Sequence, residues 1–318
     1  MKKLLLTRAF PAATIAAAQA RFDVTVLDRT AGLSVAEAGA ALQDYDAILC
    51  TLGDSFSDMA FAVPHKRCGM IGSFGVGFNH IDIAAAQAAG IHVSNTPDVV
   101  TDATADIALT LILMASRRAG EGERLVRAGA WTGWHPTQML GAHVTGKRLG
   151  IIGMGRIGQA VARRGHYGFD MPVIYFNRSP KEVDVPARQV EDLHSLMSQA
   201  DIVVVTVPGG GSNAHLIDAE ALAQLNDGAV FVNVARGDVV DQSALIAELK
   251  SGRIRAGLDV YDGEPAVPAS LMALENAVLL PHLGTAALEV REAMGQMALD
   301  NIIAWDEGQP LRQALWTA

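Results

Sequence analysis

The hexapeptide Gly153-Met154-Gly155-Arg156-Ile157-Gly158 constrains the fold of this chain more than any other feature of its sequence. An apolar strand candidate, Arg148–Ile152, precedes it, and residues 159–162 open a helix behind it. Glycines at this spacing allow a tight turn, close approach of the backbone to a pyrophosphate, and close packing of helix on strand. The N-terminus of the helix then offers N–H groups and a positive dipole to the phosphates. A plain strand–helix turn is the alternative, but the context favours a dinucleotide-binding unit.

Short apolar runs alternate with helix-length segments along almost the whole chain. The runs lack polar alternation, which indicates parallel sheets covered on both faces. The strand candidates are Leu4–Thr7, Val24–Leu27, Ala47–Cys50, Gly69–Ile71 and Ile91–Val93, followed by Arg148–Ile152, Val173–Phe176, Ile202–Val207, Ala229–Val234, Ala256–Leu258 and Val278–Leu280. We predict an α/β fold with two Rossmann- or flavodoxin-like, doubly wound parallel-sheet domains and an interdomain cleft.

The length of 318 residues also favours two domains, at about 150 residues each. The boundaries fall near Pro97-Asp98 and Gly284-Thr285, between the two sets of strands. We predict a first domain over residues 1–98 and a dinucleotide-binding Rossmann domain over residues 99–287. The segment 288–318 is predicted to be a C-terminal helix that returns to the first domain.

Composition excludes several classes of protein. The 25 basic and 34 acidic residues give a net charge of −9, which argues against a general nucleic-acid binder or a binder of anionic membranes. Cys50 and Cys68 cannot form a disulfide framework and fit a reduced, cytoplasmic protein. The first 20 residues imitate a secretory signal, but Thr7, Arg8 and Pro11 interrupt them, so we interpret them as a strand and a helix. No apolar run approaches the roughly 20 residues of a membrane span, and the His and Cys residues show no metal-ligand spacing.

The end of the second strand of the dinucleotide unit bears on the choice of cofactor. Val173–Phe176 is followed by Asn177-Arg178-Ser179, where an NAD-binding unit normally has an Asp or Glu for the adenosine ribose. A carboxylate would repel a 2′-phosphate, whereas the Arg178 guanidinium can clamp it and the Ser179 hydroxyl can donate to it. The sequence therefore predicts that NADP(H) is preferred over NAD(H).

Arg236, Glu264 and His282 each follow a strand candidate of the second set. Ligands of open parallel sheets bind outside the carboxyl ends of the strands, so these side chains are expected to face one crevice. Singly, each residue could be structural, but together they suit the reduction of a 2-oxo acid. Arg236 would hold the carboxylate as a forked ion pair and polarise the ketone. His282 would protonate the oxygen, and Glu264 would orient the imidazole and favour its protonated form.

These residues and the segments given below make the sequence resemble the D-isomer-specific 2-hydroxyacid dehydrogenases over nearly its whole length. The ending Asn177-Arg178-Ser179 and the segment Trp131–Leu140 look most like the NADPH-dependent glyoxylate/hydroxypyruvate reductases. The matching segments are Gly150–Gly158, Val232–Gly237 with Val240-Asp241 and Ala244-Leu245, Ala256–Pro265, Pro281–Thr285 and Ser73–Asp82.

The resemblance implies that Arg236, Glu264 and His282 are the catalytic triad of an enzyme that reduces glyoxylate, hydroxypyruvate or pyruvate to a D-2-hydroxy acid. It implies that the first domain binds the substrate, with Gly75, Val76 and Gly77 at its carboxylate and backbone N–H groups of Val76 and Gly77 as donors. Arg236 and His282 would also contact the substrate. The two domains would close over the cleft, and the protein would form a homodimer through its cofactor domains.

The hexapeptide, the strand ends and the resemblance together imply a longer set of cofactor contacts. Ser212 is the weakest member, because the family commonly has a Thr just before the pair His215-Leu216. Trp131 and Trp134 can be interpreted in two ways. Either one of these tryptophans caps a substrate pocket across the dimer, or both side chains pack in a protein interface. The predicted cofactor residues are Thr104, Gly153, Met154, Gly155, Arg156, Ile157, Gly158, Asn177, Arg178, Ser179, Val207, Pro208, Ser212, Val234, Ala235, Arg236, Asp259, His282 and Gly284.

Two alternatives stay open from the sequence. One is a dinucleotide-sensing regulator without catalysis on the same fold, which would need no intact triad and would usually carry extra interaction segments. The other is a phosphoglycerate- or formate-type dehydrogenase. The phosphoglycerate enzymes usually have an acidic ribose site, and their longer forms carry an additional regulatory domain.

Overall fold

The computed structural model describes residues 1–316, and the chain divides into two compact units. Unit 1 comprises residues 1–100 and the chain from residue 286 onward, and unit 2 comprises residues 101–285. Each unit is built around a parallel β-sheet of its own.

Unit 1 contains a five-stranded sheet whose order along the sheet is β2-β1-β3-β4-β5, with every pair parallel. The direction of strand addition reverses between β1 and β3, which makes that gap the topological switch point of the sheet. The elements are β1 (Lys3–Leu6), α1 (Ala12–Gln19), β2 (Asp23–Val26), α2 (Val35–Asp44), β3 (Ala47–Cys50), α3 (Asp58–Phe61), β4 (Met70–Ser73), α4 (Ile83–Ala88), β5 (His92–Ser94) and α12 (Leu288–Asp306).

Both faces of this sheet are covered because successive side chains of a strand point to opposite sides. Leu5 packs in one apolar cluster with Leu42 of α2, whereas Leu6 packs in another with Ile302 of α12. The neighbouring strand repeats the pattern, with Ile48 in the first cluster and Leu49 in the second. Burial on both sides explains why these strands contain continuous apolar runs.

Unit 2 contains a seven-stranded parallel sheet in the order β12-β11-β10-β9-β6-β7-β8. Its switch point lies between β6 and β9. The elements are α5 (Thr101–Arg117), α6 (Ala119–Arg127), β6 (Leu149–Ile152), α7 (Arg156–Phe169), β7 (Val173–Phe176), β8 (Ala187–Gln189), α8 (Leu193–Gln199), β9 (Ile202–Val205), α9 (Ala219–Ala223), β10 (Val230–Asn233), α10 (Gln242–Ser251), β11 (Arg255–Leu258), α11 (Ala269–Met272) and β12 (Ala277–Leu279).

The predicted α/β class with two parallel-sheet domains is confirmed. Each of the eleven strand candidates corresponds to a strand whose ends lie within two residues of those expected. The sequence did not indicate β8, because this three-residue edge strand has no fully buried side chain and therefore no apolar run. The predicted domain boundaries fall after residues 98 and 287, whereas the boundaries of the compact units fall after residues 100 and 285.

The start of the chain, which imitates a secretory signal, forms β1 and α1. Three of the four β1 residues are buried in unit 1, and α1 contacts α12. Among residues 1–316 no helix combines the length and the apolar character needed to cross a bilayer.

Candidate active site

The neighbouring strands β10, β11 and β12 of unit 2 bring the three predicted catalytic residues to one edge of its sheet. Arg236 follows β10, Glu264 lies in the loop after β11, and His282 follows β12. Because the strands are parallel, their carboxyl ends lie side by side. This adjacency is the arrangement that the sequence predicted for the three side chains.

His282 and Glu264 form a direct pair. The Nδ1 atom of His282 lies 2.8 Å from Oε2 of Glu264, and the side chains are 29% and 30% exposed. The other carboxylate oxygen, Oε1, accepts a hydrogen bond from the Tyr261 backbone N–H at 3.2 Å. Burial opposes ionisation of Glu264, but the hydrogen bond from His282 and the charge of Arg236 outweigh it and hold the pKa of Glu264 below its usual value. An ionised Glu264 only accepts hydrogen bonds, so it selects the imidazole form with hydrogen on Nδ1.

The turn that carries His282 has an unusual backbone conformation. His282 has φ of +53°, a left-handed value that non-glycine residues adopt only with support from their surroundings. Asp259, which is 1% exposed at the end of β11, supplies that support. Its two carboxylate oxygens accept from the backbone N–H groups of Leu283 at 2.6 Å and Gly284 at 2.8 Å, and its carbonyl oxygen accepts from His282 N. Asp259 therefore fixes the orientation of the imidazole through the backbone.

Arg236 is half-buried beside this pair. Its Nη1 donates to the carbonyl oxygen of Ala235 at 2.7 Å. Burial lowers the pKa of Arg236, and the nearby charges of Glu264 and Asp238 oppose that shift. An arginine has five N–H donors, so the guanidinium keeps donors for a planar oxyanion.

Two residues that the sequence reasoning missed hold the site together. Asn233, 2% exposed at the end of β10, donates from Nδ2 to the Arg236 carbonyl oxygen and accepts at Oδ1 from Ala235 N, each at 2.9 Å. The Tyr261 hydroxyl lies within hydrogen-bond distance of the carbonyl oxygens of Leu258 and Leu280, and so joins the ends of β11 and β12. A polar residue that closes an otherwise apolar buried strand was the available signal for Asn233. Tyr261 had no comparable signal.

The loop between β6 and α7 has the features of a phosphate cradle. Gly153 has φ of +97°, and a Cβ there would lie 2.7 Å from Cγ1 of Val207. A Cβ on Gly158 would collide with the Gly153 carbonyl oxygen, whereas a Cβ on Gly155 would meet nothing within 4 Å. The first turn of α7 has no side-chain cap and no acidic residue. Gly153 and Gly158 thus allow close packing, whereas Gly155 borders open space at a helix N-terminus without a side-chain cap. These features fit the pyrophosphate of a dinucleotide.

The end of β7 is tied to this loop. Asn177 accepts at Oδ1 from the Met154 backbone N–H at 3.2 Å, and its Nδ2 donates to the Ser179 carbonyl oxygen at 2.7 Å. Arg178 and Ser179 are exposed beside it. A carboxylate would be expected at this strand end in a site built for the ribose of NAD, and the chain has an amide and a guanidinium instead.

The remaining predicted cofactor residues also lie in unit 2, at the carboxyl edge of its sheet or on α5. Ser212 is exposed within a single turn of 3₁₀ helix, Gly211–Asn213, and this position stays a prediction. Val207 is half-buried and Pro208 is exposed. The other four are buried: Thr104, Val234, Ala235 and Gly284.

The predicted substrate-carboxylate loop lies in unit 1, directly after β4. Gly75 has φ of +154°, and its carbonyl oxygen accepts from Thr96 N at 3.0 Å. The Val76 carbonyl oxygen accepts from Asn95 Nδ2 at 2.9 Å. Within residues 1–316 the N–H groups of Val76 and Gly77 donate to no other group of the chain. The loop is thus held by its carbonyls and leaves two adjacent donors for an anion.

No group of three or more His, Cys, Asp and Glu side chains is placed to bind a metal ion in the part of the chain that the structure describes. Cys50 and Cys68 are both buried and unpaired. Burial raises the pKa of the Cys50 thiol well above its usual value and that of Cys68 to about 12. Neither thiol therefore has thiolate character near neutral pH.

Comparison with known families gives a match over residues 109–284, to the NAD-binding domain of the D-isomer-specific 2-hydroxyacid dehydrogenases. The matched region contains the glycine loop and the three residues Arg236, Glu264 and His282. It covers more than half of the chain, and the resemblance stated from the sequence is confirmed.

Several relatives match the chain over almost its whole length. A glyoxylate reductase from Thermococcus kodakarensis is 40% identical over 96% of this chain and 94% of that protein. A glycerate dehydrogenase from Hyphomicrobium methylovorum is 37% identical over 99% of both. Among solved structures, an NADPH-dependent glyoxylate/hydroxypyruvate reductase from Sinorhizobium meliloti, in complex with NADP and malonate, superposes with a TM-score of 0.88. That protein is 31% identical, and the alignment covers 99% of this chain and 96% of the other.

Proposed function

The chain belongs to the D-isomer-specific 2-hydroxyacid dehydrogenases, an oxidoreductase family, and on that premise we propose that it reduces glyoxylate and hydroxypyruvate with NADPH. The product is the D-2-hydroxy acid, and pyruvate is a further candidate substrate. The observation that carries the proposal is the pair His282–Glu264 beside Arg236 at three adjacent strand ends. Relatives named glyoxylate reductase and glycerate dehydrogenase support the substrate class.

Arg236 binds and polarises the substrate in this proposal. Its guanidinium holds the carboxylate of the 2-oxo acid and donates toward the ketone oxygen, where negative charge develops during reduction. Burial of the side chain strengthens both interactions, because the local dielectric constant is lower than that of water. The N–H groups of Val76 and Gly77, which have no partner among residues 1–316, are proposed as further donors to the same carboxylate.

His282 supplies the proton. Its Nδ1 is engaged by Glu264, and no residue among 1–316 pairs with Nε2, so Nε2–H is the donor to the ketone oxygen. The ionised Glu264 stabilises the imidazolium before that transfer. NADPH supplies the hydride that reaches carbon 2, and the proton from His282 completes the hydroxyl group. Solvent then returns a proton to His282.

NADP(H) in preference to NAD(H) is the proposed cofactor. The support is the end of β7, where Arg178 and Ser179 are exposed next to Asn177 and no carboxylate opposes a 2′-phosphate. The related reductase from Sinorhizobium meliloti is NADPH-dependent by name. The residues that hold the pyrophosphate in this proposal are those of the loop Gly153–Gly158 and the first turn of α7.

We propose that the protein is a cytoplasmic homodimer. Trp131, Trp134 and Leu140 are 54%, 77% and 62% exposed in a segment without helix or strand, and apolar side chains exposed together commonly mark protein contacts. The free thiols of Cys50 and Cys68 suit a reducing compartment. Sedimentation equilibrium is expected to give the mass of two chains, and the mass of one chain would contradict the dimer.

The experiment that tests the assigned roles compares two variants with wild type. His282→Ala is expected to lower kcat by about 10² or more, the usual contribution of a general acid. Arg236→Ala should raise KM for the 2-oxo acid and lower kcat, while the Kd for NADPH stays near that of wild type. His166→Ala, a histidine on α7 whose Nδ1 contacts the Met171 carbonyl oxygen, is the control and should leave the kinetics unchanged. Wild-type kinetics in either test variant would remove that residue from the mechanism.

A further inference from the structure

Unit 1 has a charged pair at its own topological switch point that the proposed function does not use. Arg8 follows β1 by two residues, and Asp54 lies in the loop after β3. The sheet order β2-β1-β3-β4-β5 reverses between these two strands. Open α/β sheets bind ligands at that position, outside the carboxyl ends of the strands.

Asp54 holds Arg8 in place without needing a further partner. The Asp54 side chain is fully buried, and an ionised carboxylate in such surroundings requires several donors. It accepts three hydrogen bonds, from Thr7 Oγ1 at 2.6 Å, Leu33 N at 2.8 Å and Thr51 N at 2.9 Å, and it forms an ion pair with Arg8, whose Nη1 lies 3.1 Å from Oδ1. The carboxylate therefore anchors the arginine and neutralises its charge.

Arg8 keeps donors that the chain does not use. Its side chain is 13% exposed, and Nη1 is occupied by Asp54 and by the carbonyl oxygen of Thr7. Within residues 1–316, Nε and Nη2 make no hydrogen bond. They are not sealed from solvent, in contrast with Nε of Arg29, which is buried and unpaired. An immobilised guanidinium with spare N–H groups facing solvent is a preformed donor for an oxygen atom.

The surroundings of Arg8 connect it to the loop proposed for the substrate carboxylate. The ring of Phe10, two residues beyond Arg8, packs edge-on against the ring of Phe74 with centroids 5.1 Å apart. Phe74 immediately precedes Gly75–Gly77. Strand β3 lies between β1 and β4, and the loop after it exposes Leu52, 38% accessible. Arg8 and the carboxylate loop thus share one edge of the sheet, and the apolar side chain of Leu52 lies in the loop that follows the strand between them.

We propose that Arg8 donates a hydrogen bond to an oxygen on carbon 3 of the 2-oxo acid and thereby selects hydroxypyruvate over pyruvate. Leu52 covers the carbon chain between the two polar ends. The inference rests on the proposed function, because it takes the N–H groups of Val76 and Gly77 as the carboxylate site. A substrate with a methyl group in place of the hydroxymethyl group leaves the Arg8 donors without that partner.

The test compares hydroxypyruvate with pyruvate, which differ by one hydroxyl group. Wild type is expected to favour hydroxypyruvate by about 10- to 100-fold in kcat/KM, the range for one hydrogen bond to a charged group. Arg8→Lys keeps a cation for Asp54 but places all its donors on a single nitrogen. The hydroxypyruvate-to-pyruvate ratio should therefore fall about tenfold or more in Arg8→Lys.

A second variant leaves the ion pair untouched. Gly53 has φ of +87°, which asparagine tolerates better than most residues, and a Cβ there would lie 3.9 Å from Arg8 Nη2. Gly53→Asn brings an amide oxygen beside Nη2 as a competing acceptor, so it should lower the same ratio while Arg8 and Asp54 stay paired.

Arg67→Lys is the matched control. Arg67 also pairs with a carboxylate of unit 1, through Nε and Nη2 to Asp46 at 2.8 Å each, but Asp46 precedes β3 and so lies at the opposite edge of the sheet. The ratio should stay at the wild-type value in this variant.

Two results would overturn the inference: a wild-type ratio near one, or an unchanged ratio in both Arg8→Lys and Gly53→Asn, whether kcat/KM stays at the wild-type value or falls equally with both substrates. A ratio that falls in Gly53→Asn supports it even if Arg8→Lys does not fold. If wild type oxidises no NADPH with any 2-oxo acid, the proposed function itself fails, and that result is distinguishable from the other two.

Discussion

The imidazole of His282 has its two nitrogens in different surroundings. Nδ1 faces Glu264 at 2.8 Å, and Nε2 has no partner among residues 1–316. Asp259 acts on the backbone instead, because its hydrogen bonds hold the turn that carries His282 in a left-handed conformation. The direction in which the histidine presents its proton is thus set by two carboxylates, one acting on the side chain and one on the backbone.

Replacing Glu264 with Gln separates charge from hydrogen bonding. The amide oxygen can still accept from Nδ1–H, but the negative charge that stabilises the imidazolium is lost. We expect Glu264→Gln to lower kcat by about tenfold to 10² with little change in KM for the 2-oxo acid, measured by initial rates of NADPH oxidation between pH 5 and 8. A kcat equal to that of wild type throughout this range would show that the charge plays no part.

The same substitution has a predicted effect on stability. The pKa of Glu264 is lowered in the folded chain, so its ionised form contributes stability above the unfolded-state pKa of about 4.3. That contribution is lost as the pH falls through the lower folded-state pKa. Urea unfolding should find Glu264→Gln less stable than wild type at pH 7, with a smaller difference at pH 3. A difference that grows on acidification would contradict the direction of the shift.

Individual residues differed in how far the sequence could predict them. Arg236, Glu264 and His282 were placed together because each follows a parallel strand, and parallel strands end at one edge. Asn233 and Tyr261 were missed, because their contacts depend on the shape of a turn that spacing alone does not reveal. Asp259 was predicted to contact the cofactor. Its carboxylate oxygens accept from two backbone N–H groups, and its cofactor role stays a prediction.

The elements of the two sheets were predictable for a simple reason. A strand buried on both faces must be apolar along its length, and eleven of the twelve strands, the short β5 and β12 included, coincide with an apolar run in the sequence. The edge strand β8 is the exception to this count, because it is short and partly exposed and pairs only with β7. The glycine loop was recognisable because it combines three constraints: a left-handed turn at Gly153, a tight contact at Gly158 and open space at Gly155.

The end of β7 is the element that sets cofactor choice in this account. Arg178→Asp introduces the carboxylate that NAD-specific units carry and removes the cation that would clamp a 2′-phosphate. The ratio of kcat/KM with NADPH to that with NADH should exceed one in wild type and fall by about tenfold or more in the variant. Arg188→Asp, on the neighbouring edge strand β8, is the charge-matched control and should leave the ratio largely unchanged. A wild-type preference for NADH would reject the assignment.

On the scale of the whole chain, the net charge of −9 excluded polyanionic partners but did not reveal the anionic ligands now proposed. The reason is that charge is distributed unevenly. Arg236 in unit 2 and Arg8 in unit 1 are buried or half-buried cations, and the first turn of α7 adds a positive helix end without an acidic neighbour. Local positive sites of this kind coexist with an acidic surface, and only their placement at strand ends made some of them predictable.

The most direct test of the central claim is the reaction of the wild-type protein with hydroxypyruvate and NADPH. We predict that NADPH absorbance falls, that one glycerate forms for each NADPH consumed, and that the glycerate is the D enantiomer on chiral analysis. Glyoxylate should be reduced to glycolate in the same assay. No loss of NADPH with either acid would contradict the account and favour a dinucleotide-sensing regulator, and L-glycerate would contradict the proposed stereochemistry.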